Sequence, residues 1–258
     1  MMEQTVLKEN TVRENSTFMK KDVIIACDFD SAEDTFAFLG HFAGEAHKPF
    51  LKIGMELYYA EGPEMVRALK RRGHRIFLDL KLHDIPNTVR KTMRVLSALD
   101  IDLCNVHAAG TIDMMRAARE GLTRPDGTRP LLIAVTQLTS TSEERMQREL
   151  LVDASIDEAI AHYARNTREA GLDGVVCSPL EAPLVKAACS PEFLAVTPGI
   201  RFADTTSDDQ VRITTPARAR ELGSDFIVVG RPITAAADPR AAWLRCLNEF
   251  CPETLKTR

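Results

Sequence analysis

Short apolar runs punctuate this chain at residues 23–27, 50–53, 76–80, 101–106, 131–135, 174–177, 193–196 and 226–229. Each is too short for a helix. Most are apolar throughout, the pattern of parallel strands covered on both faces. Amphipathic segments with helix punctuation separate them. Ser31-Ala32-Glu33-Asp34 is an N-cap signature. Pro63 opens a segment carrying Val66 and Leu69, and Gly73 closes it. Pro86 opens another, with Val89, Met93 and Leu96 on one stripe. Thr141-Ser142-Glu143-Glu144 and Ser155-Ile156-Asp157-Glu158 both read as capping boxes. Pro216 precedes Ala219 and Leu222, Gly223 stops that helix, and the last helix carries Ala242, Leu244 and Leu247.

Strand and helix thus alternate eight times, which suits an open doubly wound sheet or a closed barrel. An open sheet usually shows a glycine-rich phosphate loop after its first strand. Here Asp28-Phe29-Asp30-Ser31 follows instead, and the chain has neither GxGxxG nor GxxxxGK. The count of eight favours an α/β fold of the (β/α)8 TIM-barrel type, for which 258 residues is an ordinary length. No linker or low-complexity tract divides it. Residues 22–258 are read as one barrel domain and residues 1–21 as a polar tail.

Composition narrows the class. Apolar residues make up 45% and charged residues 27%, enough to build a globular core. A net charge of −4 offers no general attraction to nucleic acid or an anionic membrane. An anionic substrate therefore needs cations gathered locally. Cys27, Cys104, Cys177, Cys189, Cys246 and Cys251 form no CxxC pair and no zinc-spaced cluster with histidine. A reduced, cytoplasmic protein without a metal site is the simplest reading. No apolar stretch has signal-peptide or membrane-span character.

In a barrel the chemistry lies at the C-terminal ends of the strands. The third run ends Asp79-Leu80-Lys81, followed by Leu82-His83-Asp84. Strand alternation aims Asp79 and Lys81 the same way. Lys52 is embedded in the neighbouring run, between Leu51 and Ile53. Charges in core strands must be paired. A row of two ammonium groups and two carboxylates results if Asp84 reaches back to Lys81. His107 ends the fourth run and reads as a supporting or core histidine rather than a catalytic one. His41, His47, His74 and His162 show no ligand spacing.

Loops after strands seven and eight commonly bind phosphate in such barrels. Gly230 permits close backbone approach and Arg231 offers a fork of donors. Arg201 follows Pro198-Gly199-Ile200 in the same manner. The polar segment 202–210 between them reads equally as a lid or a plain surface loop.

These residues carry a resemblance. Asp79-Leu80-Lys81-Leu82-His83-Asp84-Ile85-Pro86-Asn87-Thr88-Val89 resembles the signature of the orotidine 5′-phosphate decarboxylases, in their short bacterial form. Ala26-Cys27-Asp28, Leu51-Lys52-Ile53-Gly54, Val106-His107-Ala108-Ala109-Gly110, Val135-Thr136-Gln137-Leu138-Thr139-Ser140 and Val229-Gly230-Arg231-Pro232-Ile233 are similar to the family in the expected order. The resemblance implies conversion of orotidine 5′-monophosphate to uridine 5′-monophosphate and CO2, without a cofactor, by a homodimer. It implies Lys81 as proton donor, with Asp79, Asp84 and Lys52 completing the charged network. Asp84 would come from the other subunit, and Thr88 would cross the same interface. Asp28 and Lys52 would contact the ribose, Thr139 the pyrimidine, and Arg201, Gln210, Gly230 and Arg231 the phosphate.

Two rivals stand beside this reading. Magnesium-dependent sugar-phosphate decarboxylases or aldolases share a similar barrel and the D-x-K-x-x-D pattern. They resemble one another in an acidic metal ligand where this chain has Lys52. A non-catalytic nucleotide-binding barrel has no need of a buried lysine–aspartate array.

Overall fold

The computed structural model describes residues 21–204 and 214–256. Eight parallel strands, β1 (Asp22–Cys27), β2 (Phe50–Gly54), β3 (Ile76–Leu82), β4 (Leu103–His107), β5 (Leu131–Val135), β6 (Gly174–Val176), β7 (Leu194–Thr197) and β8 (Phe226–Val229), close in sequence order. β1 pairs with both β2 and β8, which seals the barrel. The α-helices outside it are α1 (Ala32–Gly40), α2 (Met55–Glu61), α3 (Pro63–Arg71), α4 (Pro86–Ser97), α5 (Thr111–Leu122), α6 (Glu143–Glu149), α7 (Ile156–Glu169), α8 (Ala182–Ala188), α9 (Pro216–Glu221), α10 (Arg231–Thr234), α11 (Pro239–Phe250) and α12 (Pro252–Lys256).

Alternation along each strand sorts the core into two shells. Ile24, Phe50, Phe77, Leu103, Ile133 and Phe226 form the apolar floor inside the barrel. Val23, Ile25, Leu51, Ile53, Ile76 and Leu78 face the helices. Phe50 and Phe226 meet edge to face across the interior, with ring centroids 6.0 Å apart. The parity that sends Phe50, Phe77 and Leu103 inward also sends Lys52, Asp79 and Asn105 inward, one layer higher.

Most local signals work as read. Ser31 caps α1 by accepting the Asp34 N–H, and Ser155 and Glu158 form a complete capping box on α7. The box expected at residues 141–144 does not form. Ser142 is the cap and accepts from Arg145, so no acid occupies the third helical position; Glu143 instead accepts the Ile156 N–H. The buried seam of α11 is Trp243, Cys246, Leu247 and Phe250, with Ala242 and Leu244 packed at its edge. Gly121 on α5 is a contact residue: a Cβ there would lie 2.1 Å from the Arg90 carbonyl oxygen of α4. Cys27, Cys104 and Cys177 are buried, and burial raises the Cys27 and Cys104 thiols to about 12.

The opposite end of the barrel carries an unforeseen structural device. Asp102, Asp173 and Asp225, each just before an even-numbered strand, accept the N–H of Ile76, Leu132 and Ala195 on the preceding strand. Each also binds a cation, Lys70, Arg129 and Lys186 respectively. These carboxylates satisfy backbone donors that the ladder leaves open. β4 begins at Leu103, directly after Asp102, and not at Ile101 as its apolar run suggested.

Candidate active site

At the C-terminal mouth the interior turns polar. Lys52 Nζ donates to Asp28 Oδ1 at 2.8 Å and lies 3.5 Å from Asp79 Oδ2. Lys81 Nζ donates to Asp79 Oδ1 at 2.6 Å. The alternating row is therefore Asp28, Lys52, Asp79, Lys81. Lys52 and Asp79 are buried, at 8% and 7% exposure, so neither charge is sustained by water. Burial pushes the Asp79 carboxyl up, but Lys52 and Lys81, with hydrogen bonds from Lys81 and Asn105, outweigh it and hold it below the usual carboxylate range. Burial pulls Lys52 down, and Asp79 and Asp28 more than reverse this. Both remain ionised at neutral pH.

Lys81 does not reach Asp79 by simple alternation. Its φ is +51°, in the left-handed region, and the β3–β4 register shifts between Leu78 and Leu82. Such strain concentrates at functional positions.

A cavity of about 270 Å³ opens directly over this row. Lys52, Asp79 and Lys81 form one wall, and Phe77, Val135, Val176 and Val228 supply an apolar bed. Gln137, Leu138, Thr139, Ser140 and Pro198 complete the rim. A flat ring with polar edges suits this lining: apolar surface for its face, amide and hydroxyl groups for its edge, and an ammonium at one side.

The chain matches the family model described as orotidine 5′-phosphate decarboxylase / HUMPS over residues 21–246. The chain belongs to that family. It is 56% identical over 228 residues to the orotidine 5′-phosphate decarboxylase of Bacillus cereus, covering 87% of this chain and 95% of the relative. It is similar to the crystal structure of orotidine 5′-phosphate decarboxylase from Lactobacillus acidophilus, with a TM-score of 0.80 and 40% identity over 90% of this chain and 99% of that one. A structure of an uncharacterized conserved protein from Geobacillus kaustophilus matches with a TM-score of 0.78 and 49% identity, covering 88% and 99%.

Asp84 of the family signature lies outside the charged row. Its carboxylate is exposed and accepts the N–H of Ile85 at 2.6 Å, and among the described residues no ion pair joins it to Lys81. The idea that Asp84 reaches back within its own chain is thus corrected: the turn after β3 carries it away from the barrel axis. Thr88, on the first turn of α4, is likewise exposed. Thr139 sits on the cavity rim. Asp28 anchors the outer end of the charged row.

Arg201 and Arg231 do not line the cavity of the charged row. They lie beyond it, after β7 and at the start of α10, where Gly230 is the helix cap. Among the described residues a Cβ on Gly230 would meet only Ala26, at 3.7 Å. Gly199 adopts φ +80°, a turn that reverses the chain after β7. The Arg201 N–H donates to Thr214, and Thr214 N–H donates to Gly199, joining the two ends of the intervening segment. Gln210 lies outside the described residues. Of the segment 202–210, Phe202 is buried with the Arg245 guanidinium 4.1 Å from its ring centre, and Asp204 pairs with the same arginine. Its beginning is therefore anchored to α11, and residues 205–210 lie outside the described residues.

His107 is half-buried beside His83, with ring centroids 5.7 Å apart. Burial first, then the neighbouring His83 and Lys81, lowers its pKa and keeps it neutral. Among the described residues no hydrogen bond or ion pair joins its side chain to the row. One participant is not foreseen from sequence. Asn105, buried to 1% exposure, donates from Nδ2 to Asp79 Oδ1 at 2.7 Å and accepts the Lys81 N–H on Oδ1 at 2.8 Å. A signal for it exists: an amide among the apolar residues Leu103, Cys104 and Val106, on the interior face. Among the described residues no group of histidine, cysteine and acidic side chains is arranged to hold a metal, and no helix is long and apolar enough to cross a membrane.

Proposed function

We propose that this chain decarboxylates orotidine 5′-monophosphate to uridine 5′-monophosphate by cofactor-free acid catalysis from Lys81. The observation that carries the reading is the Lys52–Asp79–Lys81 row against a cavity sized for one flat heterocycle. Loss of CO2 from C6 leaves an electron pair in the ring plane, orthogonal to the π system. The ring cannot spread that charge, so stabilisation must come from outside it. A fixed ammonium beside C6 stabilises the pair as it forms and then transfers a proton to it. Asp79 aims Lys81 through their hydrogen bond, and Lys52 keeps Asp79 ionised. The apolar bed excludes water, which strengthens these interactions. Arg201, Gln210, Gly230 and Arg231 hold the phosphate, and Asp28 with Lys52 holds the ribose. Thr139 contacts the pyrimidine edge.

The family model spans both decarboxylase and HUMPS members, so Lys52 is the discriminating residue. It puts a cation where a magnesium-dependent relative needs an acidic ligand. Incubating the protein with orotidine 5′-monophosphate and following the pyrimidine absorbance tests the reading directly. The expected result is turnover that is unchanged by EDTA. Activity lost with EDTA and restored by magnesium would transfer the chain to the sugar-phosphate branch. Nucleotide binding without turnover would make it a binding protein.

The second element of the reading is a homodimer in which Asp84 and Thr88 complete the partner's site. Ile85 is 65% exposed beside Asp84, and Met55 and Tyr59, on the helix after the adjacent β2, are also exposed. An apolar rim around an exposed carboxylate at the barrel mouth suits burial against a second copy. Mixing inactive Lys81→Ala and Asp84→Ala subunits then restores activity, to about one quarter of wild type for random pairing, because half the dimers hold one intact site in two. No recovery after subunit exchange would place Asp84 in its own chain's site.

A further inference from the structure

The bulge in β3 needs something to hold it. Between paired positions Leu78↔Cys104 and Leu82↔Val106, β3 advances four residues while β4 advances two. Asp79, Leu80 and Lys81 thus share one opposing residue, Asn105, and the backbone must arch. The arch turns the Lys81 N–H away from any β4 carbonyl and sets its φ at +51°. The Asn105 side chain takes that donor at 2.8 Å and gives its own to Asp79 Oδ1 at 2.7 Å. Lys81 Nζ reaches the same Asp79 oxygen at 2.6 Å. One partner is a pure donor and the other a pure acceptor, so the amide has a single satisfactory orientation. Nearly complete burial leaves no water to substitute.

We propose that Asn105 is a positioning residue: its amide fixes the β3 bulge so that the Lys81 ammonium and the Asp79 carboxylate are presented together to the reacting carbon. This rests on the decarboxylase reading. Asn105 is buried and is not part of the cavity lining, so its removal separates turnover from binding.

The test uses the full chain and the variants Asn105→Ala and Asn105→Asp. Wild-type turnover of orotidine 5′-monophosphate is measured first; its absence would defeat the decarboxylase reading and this proposal with it, whereas failure in the variants alone defeats only the role of Asn105. In Asn105→Ala, kcat falls about 100-fold through misplacement of Lys81, while KM and the Kd for uridine 5′-monophosphate stay within about threefold. In Asn105→Asp the shape and the acceptor are kept, but a like charge faces Asp79. Asp79 and Lys81 on β3, Lys52 on β2 and His107 on the same strand are the titratable groups around the introduced carboxyl. Its activity relative to wild type rises as pH is lowered, because protonation restores a donor to Asp79. A kcat within threefold of wild type in Asn105→Ala overturns the proposal. So does an equal loss of product affinity, which marks a general packing role. If Asn105→Ala does not fold, a pH-independent activity ratio in Asn105→Asp overturns it. Failure of both to fold would assign Asn105 to the core alone and overturn it as well.

Discussion

Lys81→Ala abolishes decarboxylation while the protein still folds and binds uridine 5′-monophosphate. Two contributions disappear together. Electrostatic stabilisation of a developing anion and proton donation to it are each worth about 10²–10⁴-fold, so their joint loss is on the order of 10⁵-fold in kcat. The fold survives because Asp79 is not orphaned. It keeps Lys52 Nζ at 3.5 Å and the Asn105 amide at 2.7 Å. Relief of the positive φ at position 81 does not occur, since alanine dislikes that region as lysine does. The measurement is single-turnover decarboxylation alongside calorimetric binding of the product. A variant that kept even about a tenth of wild-type turnover, a loss of only ~1.4 kcal/mol, would remove Lys81 from the chemistry.

Arg231→Ala produces the second large effect, and it has a different signature. Arg231 begins α10 directly after Gly230, beyond the cavity of the charged row. A guanidinium there can grip a phosphate with two charge-assisted hydrogen bonds at about 2 kcal/mol each. Removing both lowers kcat/KM for orotidine 5′-monophosphate about 10³-fold, at roughly 1.4 kcal/mol per decade. For orotidine, which lacks the phosphate, kcat/KM changes by less than about threefold. Lys81→Ala, in contrast, harms both substrates. An equal loss on the two substrates in Arg231→Ala would show that Arg231 serves the fold or the chemistry instead of the phosphate.

The charged row also explains why a buried array is tolerated at all. Each ion in it touches an opposite ion, and Asp79 accepts from both Lys81 and Asn105. The row keeps its charges fixed before the substrate arrives, so little reorganisation is required during reaction. A hydrophobic replacement would pack there with less desolvation cost. Its place at the barrel mouth suits catalytic use.

Much of this was legible along the chain. Eight apolar runs separated by capped amphipathic segments determine the barrel, because period and punctuation are local properties. Lys52 and Asp79 announce themselves because a charge inside an apolar run has few places to go. The sequence of β3 alone did not reveal how Lys81 meets Asp79. Regular alternation and a two-residue bulge both aim the two side chains together, and only the pairing with β4 distinguishes them. Asn105 escaped notice for the same reason: an amide in a strand is bland until its two partners, 24 and 26 residues away, are brought to it. Asp84 shows the converse. Its spacing from Lys81 suggested a reach back within one chain, and the turn after β3 carried it outward. Sequence by itself therefore determined which elements form and which charges need partners, since both follow from local solvation and periodicity. Tertiary structure decided which partners meet, because strand register and turn direction are settled only when distant segments pack.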